Sequence, residues 1–317
     1  MQGDPGARHV VFGAGPVGLA VATELAARGR RVIVVNRSGR AELPAGVEIR
    51  GGDASDPAFA REVSAGASVV YDCLNPPYHR WPELFPRLQA GVLEGAAAAG
   101  ARLVAMENLY LYGPTGGRPL TEDLPAAATG RKGVTRARMA EDLLAAHRDG
   151  RARVAIGRAS DFFGPGVVAS AMGERVVRPA LAGRRVQVIG DPDLPHTYSY
   201  VPDIGRALVL LGEREEALGQ AWHLPSPPTV STRRLLELLA AEAGQRARVQ
   251  SLPRPLFRAL GVVNRDLREL REMLYEFEEP FVVDHGKFAR AFGDLATPLE
   301  EAVGRTASWY RSHPTRR

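Results

Sequence analysis

Gly13, Gly15 and Gly18 stand at G-x-G-x-x-G spacing, with Pro16 and Val17 between the last two, after the apolar run of residues 9–12 and before a helical-looking stretch of residues 19–28. Glycines so spaced can cradle a pyrophosphate. Gly13 permits the tight turn, Gly15 lets the backbone approach the anion, and Gly18 lets helix and strand pack closely, while the first N–H groups of the helix face the charge. Pro16 fits a first helical turn, where a missing donor costs little. A second apolar run, residues 32–35, completes a βαβ context that makes the pattern a dinucleotide fingerprint. That run ends in Asn36, Arg37 and Ser38, where an acid would bind the ribose 2′-hydroxyl of NAD. An uncharged acceptor beside a guanidinium suits a 2′-phosphate instead, so the sequence favours NADP(H) over NAD(H).

The elements that must position these residues follow from hydrophobic patterning. Strand-like runs at residues 9–12, 32–35, 47–50, 68–74, 103–106 and 154–156 alternate with helical patterns, among them residues 83–99 and 132–147. The alternation implies an α/β fold built on a doubly wound parallel sheet of Rossmann type. The third strand runs into Asp53 and Ala54, placed to meet an adenine edge or to cap a helix. The fourth ends at Leu74, Asn75 and Pro76, with Pro77 stiffening a loop at the carboxyl end of a strand, where such sheets bind ligands. Asn75 is a candidate for the nicotinamide ribose; Tyr78 and Trp81 are candidates to cover the pocket or to pack. Beyond residue 166 the pattern loosens into shorter mixed segments, with helices at residues 232–243, 265–276 and 299–309. The division expected is a dinucleotide-binding domain of residues 1–166 plus 196–220, and a smaller mixed α/β substrate-binding lobe of residues 167–195 plus 221–317.

Composition narrows the class. Of 317 residues 45% are apolar and 24% charged, which is ordinary for a globular protein. No apolar run is long enough to span a bilayer, and residues 1–8 lack the layout of a secretory signal, so the cytoplasm is expected. The lone cysteine, Cys73, excludes an internal disulfide and sits in an apolar run as a buried small residue. The net charge of +5 comes from scattered arginines, Lys132 and Lys287 being the only lysines, and no basic block with interleaved aromatics marks a nucleic-acid groove. The seven histidines are dispersed without ligand spacing, so no metal is expected. The partners expected are a small-molecule substrate and a second copy of the chain as a homodimer, with neither nucleic acid nor membrane.

Taken together, the glycine turn, Gly52-Asp53, Tyr112-Gly113, residues 121–125 (TEDLP), Arg158 with Gly164-Pro165-Gly166, residues 200–203 (YVPD), residues 284–287 (DHGK) and Trp309-Tyr310 resemble the short-chain dehydrogenase/reductase superfamily, in its extended NAD-dependent epimerase/dehydratase branch. The glycine spacing is that of atypical members. The resemblance implies a Ser or Thr after the fifth strand and a Tyr-x-x-x-Lys pair on the next helix, with Tyr as general acid/base and Lys holding its pKa down. This chain departs there: Asn108, Gly133 and Ala137 fall in those three slots, and neither Gly133 nor Ala137 can move a proton. Groups at strand ends facing one edge could replace them. Tyr110 or His196 is the proton donor expected, since a phenol can give a proton to a forming alkoxide and an imidazole titrates near neutral pH. Asn108 would be a polar anchor, and Asp161, standing where relatives place a substrate-contacting Asn, a substrate ligand.

Three functions stand open on these residues. One is an atypical NADP(H)-dependent oxidoreductase passing hydride between nicotinamide and a small carbonyl or conjugated substrate. Another is isomerase or lyase chemistry of epimerase/dehydratase type. The third is a non-catalytic NADP(H)-binding redox sensor, which the missing Tyr and Lys favour and the polar cluster of Glu107, Asn108, Asp161 and His196 opposes.

Overall fold

The computed structural model describes residues 7–252 and 269–314. Residues 1–6, most of the stretch read above as lacking a signal layout, lie outside them, as do residues 265–268 of the helix expected at 265–276 and residues 315–317. The described end of that expected helix is a 3-10 turn, Leu270–Met273, and one short α-turn, Tyr275–Glu278.

Two compact units divide the chain. The first comprises Met1–Leu111, Arg131–Ala159 and Ile204–Leu224. Its strands are β1 (Arg8–Phe12), β2 (Arg31–Asn36), β3 (Glu48–Gly51), β4 (Ala67–Asp72), β5 (Arg102–Glu107) and β6 (Arg153–Arg158). Its helices include α1 (Pro16–Ala27), α2 (Pro57–Ser64), α3 (Trp81–Ala98) and α4 (Arg131–Arg148). With the short strand Ala221–His223 they form a seven-stranded sheet in the order Ala221–His223, β6, β5, β4, β1, β2, β3, every pair parallel. Helices cover both faces of such a sheet, so its strands read as continuous apolar runs rather than alternating ones. Val10, Val11 and Phe12 are accordingly inaccessible, each contributing roughly 1.5–3 kcal/mol through burial.

The helix boundaries follow local chemistry. Asp56 caps α2 by accepting from the Ala58 amide, and Pro57 opens it. α1 begins on Pro16 behind an N-cap, Gly15, that offers no side-chain acceptor.

The second unit comprises Tyr112–Gly130, Ser160–Asp203 and Pro225–Arg317. It is mixed α/β: two-stranded pairings join Asp161–Phe163 to Tyr198–Tyr200 and Arg185–Val188 to Arg248–Ser251 in parallel, and Pro195–His196 to Val230–Ser231 antiparallel. Its core gathers Val177, Tyr200, Leu235, Leu239, Val303 and Tyr310 from these strands and the helices Glu174–Leu181, Thr232–Ala241 and Leu299–Ser312. Asp203, fully buried, accepts from the Thr297 amide at 2.7 Å and its hydroxyl at 2.6 Å, and so pins the entry to the last helix.

The division drawn from sequence is corrected at its edges. Ala221–His223 pairs with β6 and belongs to the large sheet, not to the smaller lobe. Residues 160–166 and 196–203 cluster with the second unit, where their strands pair, and residues 112–130 join it through the bridge of Leu120 to Val283. Among the described residues no helix is long and apolar enough to cross a membrane.

Two buried groups in the sheet give opposite pH dependences. Burial, then the charge of Arg30, lowers the pKa of His9 from 6.5 to about 4. Its protonation therefore favours the unfolded chain, and stability is lost as pH falls from 6.5 towards 4. Burial raises Asp72 from 3.8 to about 6, against the Leu74 amide and Arg136, which pull it down. Here stability is full below 3.8 and is lost as pH rises through about 6. Each effect is on the order of 3 kcal/mol at about 1.4 kcal/mol per pKa unit. Denaturant titrations across this range should show His9→Asn gaining stability over wild type as pH falls and Asp72→Asn gaining as pH rises; curves parallel to wild type would contradict both.

Candidate functional site

The glycine turn after β1 is set by backbone contact. Gly13 has a φ of +110°, and a Cβ there would lie 2.4 Å from the Cys73 carbonyl oxygen; one on Gly18 would lie 1.9 Å from the carbonyl oxygen of Gly13. Those two glycines are required by the fold itself. Gly15 is not, since a Cβ on it would meet nothing within 4 Å. Open space therefore stands over the uncapped N-terminus of α1, where backbone N–H groups and the helix dipole favour an anion. A dinucleotide pyrophosphate fits that arrangement.

Beyond the turn, a cavity of about 250 Å³ opens along the first unit. Asn36, Arg37, Asp53, Ala54, Leu74, Asn75 and Pro76, all expected to contact cofactor, line it. Their roles divide on inspection. Asn36 closes the turn after β2, its Oδ1 accepting from the Gly39 amide at 2.7 Å and its Nδ2 donating to the Arg40 carbonyl at 2.9 Å. Ser38 donates to Asn36 Oδ1 at 3.2 Å and lies outside the cavity lining. Arg37 is exposed and makes no ion pair among the described residues. Asp53 accepts from the amide and hydroxyl of Ser55, which, with the charges of Arg87 and Arg37, hold its carboxyl below the usual range. Pro76 fixes the far lip by accepting from Trp81 Nε1 at 3.0 Å.

At the carboxyl ends of β4, β5 and β6 the interior is charged. Glu107 Oε2 accepts from Arg158 Nε at 3.1 Å, both side chains being almost wholly buried. Arg136, on α4, donates to the Met106 carbonyl at 3.2 Å and lies over the Phe85 ring; burial lowers its pKa. Cys73 is buried and its thiol is pushed far up, so it is no nucleophile. Gly133 is buried on α4 and Ala137 half-buried. Lys132, 1% exposed, sets its ammonium 4.5 Å over the Tyr78 ring. Tyr78 and Tyr110 pack beside Trp81, and Asn108 Oδ1 accepts from the Tyr110 amide at 3.3 Å. Sequence reasoning did not assign Arg136 or the Lys132–Tyr78 pair; the buried face that Lys132 and Arg136 share on α4 was the available signal.

Asn108 and Tyr110 thus belong to the first unit, whereas Asp161 and His196 belong to the second. The latter two meet: His196 Nε2 lies 3.0 Å from Asp161 Oδ2. The other ring nitrogen, Nδ1, faces the Glu276 carbonyl at 3.1 Å and must donate to it. Phe277, Phe281 and Tyr198 enclose the ring. The His196 side chain is 4% exposed and that of Asp161 19%, so Asp161 is the end of the pair that a ligand can reach. The Glu276 side chain, also buried, has its pKa raised by burial and then by the charge of Asp161. Among the described residues no group of three or more His, Cys, Asp and Glu could hold a metal ion.

Residues 10–224 match the model of the NAD dependent epimerase/dehydratase family. The chain belongs to that family. Solved structures similar to it across its length include an epimerase from the methanogen Methanothermobacter thermautotrophicus, at 21% identity and a TM-score of 0.79, covering 97% of this chain and 93% of that one. A UDP-N-acetylglucosamine 4-epimerase from Bacillus cereus is similar at 13% identity and 0.77, covering 98% and 99%. A dTDP-glucose 4,6-dehydratase from Bacillus anthracis, solved in complex with NAD, is similar at 14% and 0.77, covering 96% and 97%. These likenesses establish the Rossmann-type fold. No curated protein matches the chain by sequence. Within the epimerase/dehydratase family this member keeps the nucleotide-binding half recognisable by its glycines and the sheet order that places them.

The different demands on the three glycines are separable. Gly15→Asp should leave the melting temperature within about 2 °C of wild type yet weaken NADPH binding at least about tenfold, as followed by quenching of tryptophan fluorescence. Gly18→Ala should lower both. Unchanged NADPH binding in Gly15→Asp would remove the turn from the site.

Proposed function

We propose that the chain is an NADP(H)-dependent oxidoreductase acting on a small carbonyl or conjugated substrate. The observation that carries the cofactor choice is Arg37: β2 ends in Asn36 where an acid would meet a ribose 2′-hydroxyl, and this guanidinium lines the groove without an ion pair among the described residues. A bound nicotinamide nucleotide would supply or take up the hydride. The chain's own residues do the rest. Amides at the start of α1 hold the pyrophosphate, Asn75 meets the ribose at the far end of the groove, and Asn108 anchors polar substrate atoms. Within the second unit the candidate proton donor is the Asp161–His196 pair rather than imidazole alone, since the ring is enclosed and Asp161 is its reachable end. Tyr110, packed on Trp81, is the alternative donor. The single buried cysteine suits the cytoplasm.

Two observations support other readings. Membership of an epimerase/dehydratase family favours isomerase or lyase chemistry on the same scaffold. Gly133 and Ala137, where a Tyr and a Lys are expected, favour a sensor that binds without turnover.

Recombinant protein should consume NADPH in the presence of at least one member of a panel of aldehydes, quinones and enones, and NADH more slowly. Asp161→Asn, which keeps a hydrogen bond to His196 through its amide, should then cut turnover by about two orders of magnitude with NADPH affinity held within about twofold. Full activity in both Asp161→Asn and Tyr110→Phe would eliminate both proton donors. Tight NADPH binding without turnover on any member would favour the sensor.

A further inference from the structure

The cavity of the first unit carries more positive charge than its β2 wall explains. α3 crosses its other side, and Leu84, Arg87 and Leu88, at i, i+3 and i+4, all face the cavity. Three guanidiniums line it, those of Arg37, Arg80 and Arg87, against the one carboxylate of Asp53. Arg80 is already engaged: its Nε and a terminal nitrogen donate to both oxygens of Glu83, at 3.2 and 2.6 Å, and Glu83 is not part of the lining. Arg37 and Arg87 make no ion pair among the described residues, although the charge of Arg87 also acts on Glu83 one turn earlier on α3. They line the one cavity from different elements, the end of β2 and α3, and the charge of each lowers the pKa of the Asp53 carboxyl. Asp53 accepts from the amide and hydroxyl of Ser55, and its single charge leaves the lining net positive.

Two guanidiniums that make no ion pair and line one cavity from separate elements suit a dianion with several acceptor oxygens. A phosphate monoester carries about −1.5 to −2 charges near neutral pH and three such oxygens, and it can take a fork from each arginine. A pyrophosphate diester would find its donors at the start of α1 instead. We propose that Arg87 on α3, with Arg37 at the end of β2, clamps the phosphate monoester on the ribose of the bound nucleotide, so that α3 reads cofactor identity from the side opposite the usual strand end. This rests on the NADP(H) reading above and adds the residue that discriminates. Leu84 and Leu88 flank Arg87 and give the base an apolar wall, and Asn36 remains tied into its turn.

Calorimetry on the full chain with adenosine 2′,5′-bisphosphate and with 5′-AMP tests this without turnover. Wild type should bind the bisphosphate at least about tenfold more tightly than the monophosphate. Arg87→Ala should lose about tenfold or more on the bisphosphate and stay within about twofold on AMP, with Arg87→Lys intermediate, because a point charge replaces a fork. If both arginines hold one phosphate, Arg37→Ala with Arg87→Ala should cost less than the product of the single losses. Since Arg87 is exposed, its variants should melt with wild type. Loss shared equally between the two ligands would mean that Arg87 packs on the base and would overturn the proposal, as would no loss at all. Either of those with wild-type discrimination intact leaves the NADP(H) reading standing. Equal binding of the two ligands by wild type would remove that reading and this inference with it.

Discussion

No side chain fits where the first turn crosses the sheet. The carbonyl of Cys73 sits where a Gly13 Cβ would be, and the carbonyl of Gly13 sits where a Gly18 Cβ would be, so β4, the turn and α1 touch through backbone alone. That close approach fixes the N-terminus of α1 against the carboxyl end of β4. It falls where the strand order reverses, between β4 and β1, the position at which open parallel sheets leave a crevice beyond their carboxyl ends. Asn75, Pro76 and the cavity walls take their places from this contact. Gly15, with no packing demand of its own, leaves room above it.

The sheet edge next to that crevice is charged and buried, which carries a cost that only pairing offsets. Glu107 and Arg158 pair; Arg136 sits on a carbonyl and an aromatic ring; Asp72 bears the remainder as a pKa raised to about 6. Perturbed buried groups of this kind cluster at functional sites more often than elsewhere. Here they occupy the neighbourhood of α4, whose Gly133 and Ala137 cannot move a proton. A second titratable pair, Asp161 and His196, stands in the other unit, with the exposed member a carboxylate and the enclosed member an imidazole. The proposed proton transfer accordingly draws on groups that are polar for reasons of their own environment rather than on a phenol and an ammonium spaced along one helix.

Much of this was legible in the residues. Alternating apolar runs and helical spacing give the parallel sheet, because buried parallel strands lack polar interruptions and helices keep a 3.6-residue period. The glycine spacing gives the turn, and Arg37 stands out against the acid expected there. Other features were hidden. Ala221–His223 is three residues long and too short to show a period, so its place in the sheet comes only from pairing with β6. Asp161 and His196 were each singled out, but 35 positions separate them, and nothing local states that they meet. Asn36 and Ser38 look like ligand groups in sequence because turn-closing and ligand-binding use the same acceptors; the structure shows them closing the turn. Arg87 could have been found, since it shares a helical face with Leu84 and Leu88, but nothing in the sequence says that this face meets a cavity.

The central claim is that an arginine-lined groove and a glycine turn bind NADP(H) in preference to NAD(H). Calorimetric titration of the wild-type chain with NADPH and NADH, under identical salt, addresses it most directly. The account predicts NADPH at least about tenfold tighter, equal to about 1.4 kcal/mol. Equal affinities, or tighter NADH, would contradict it.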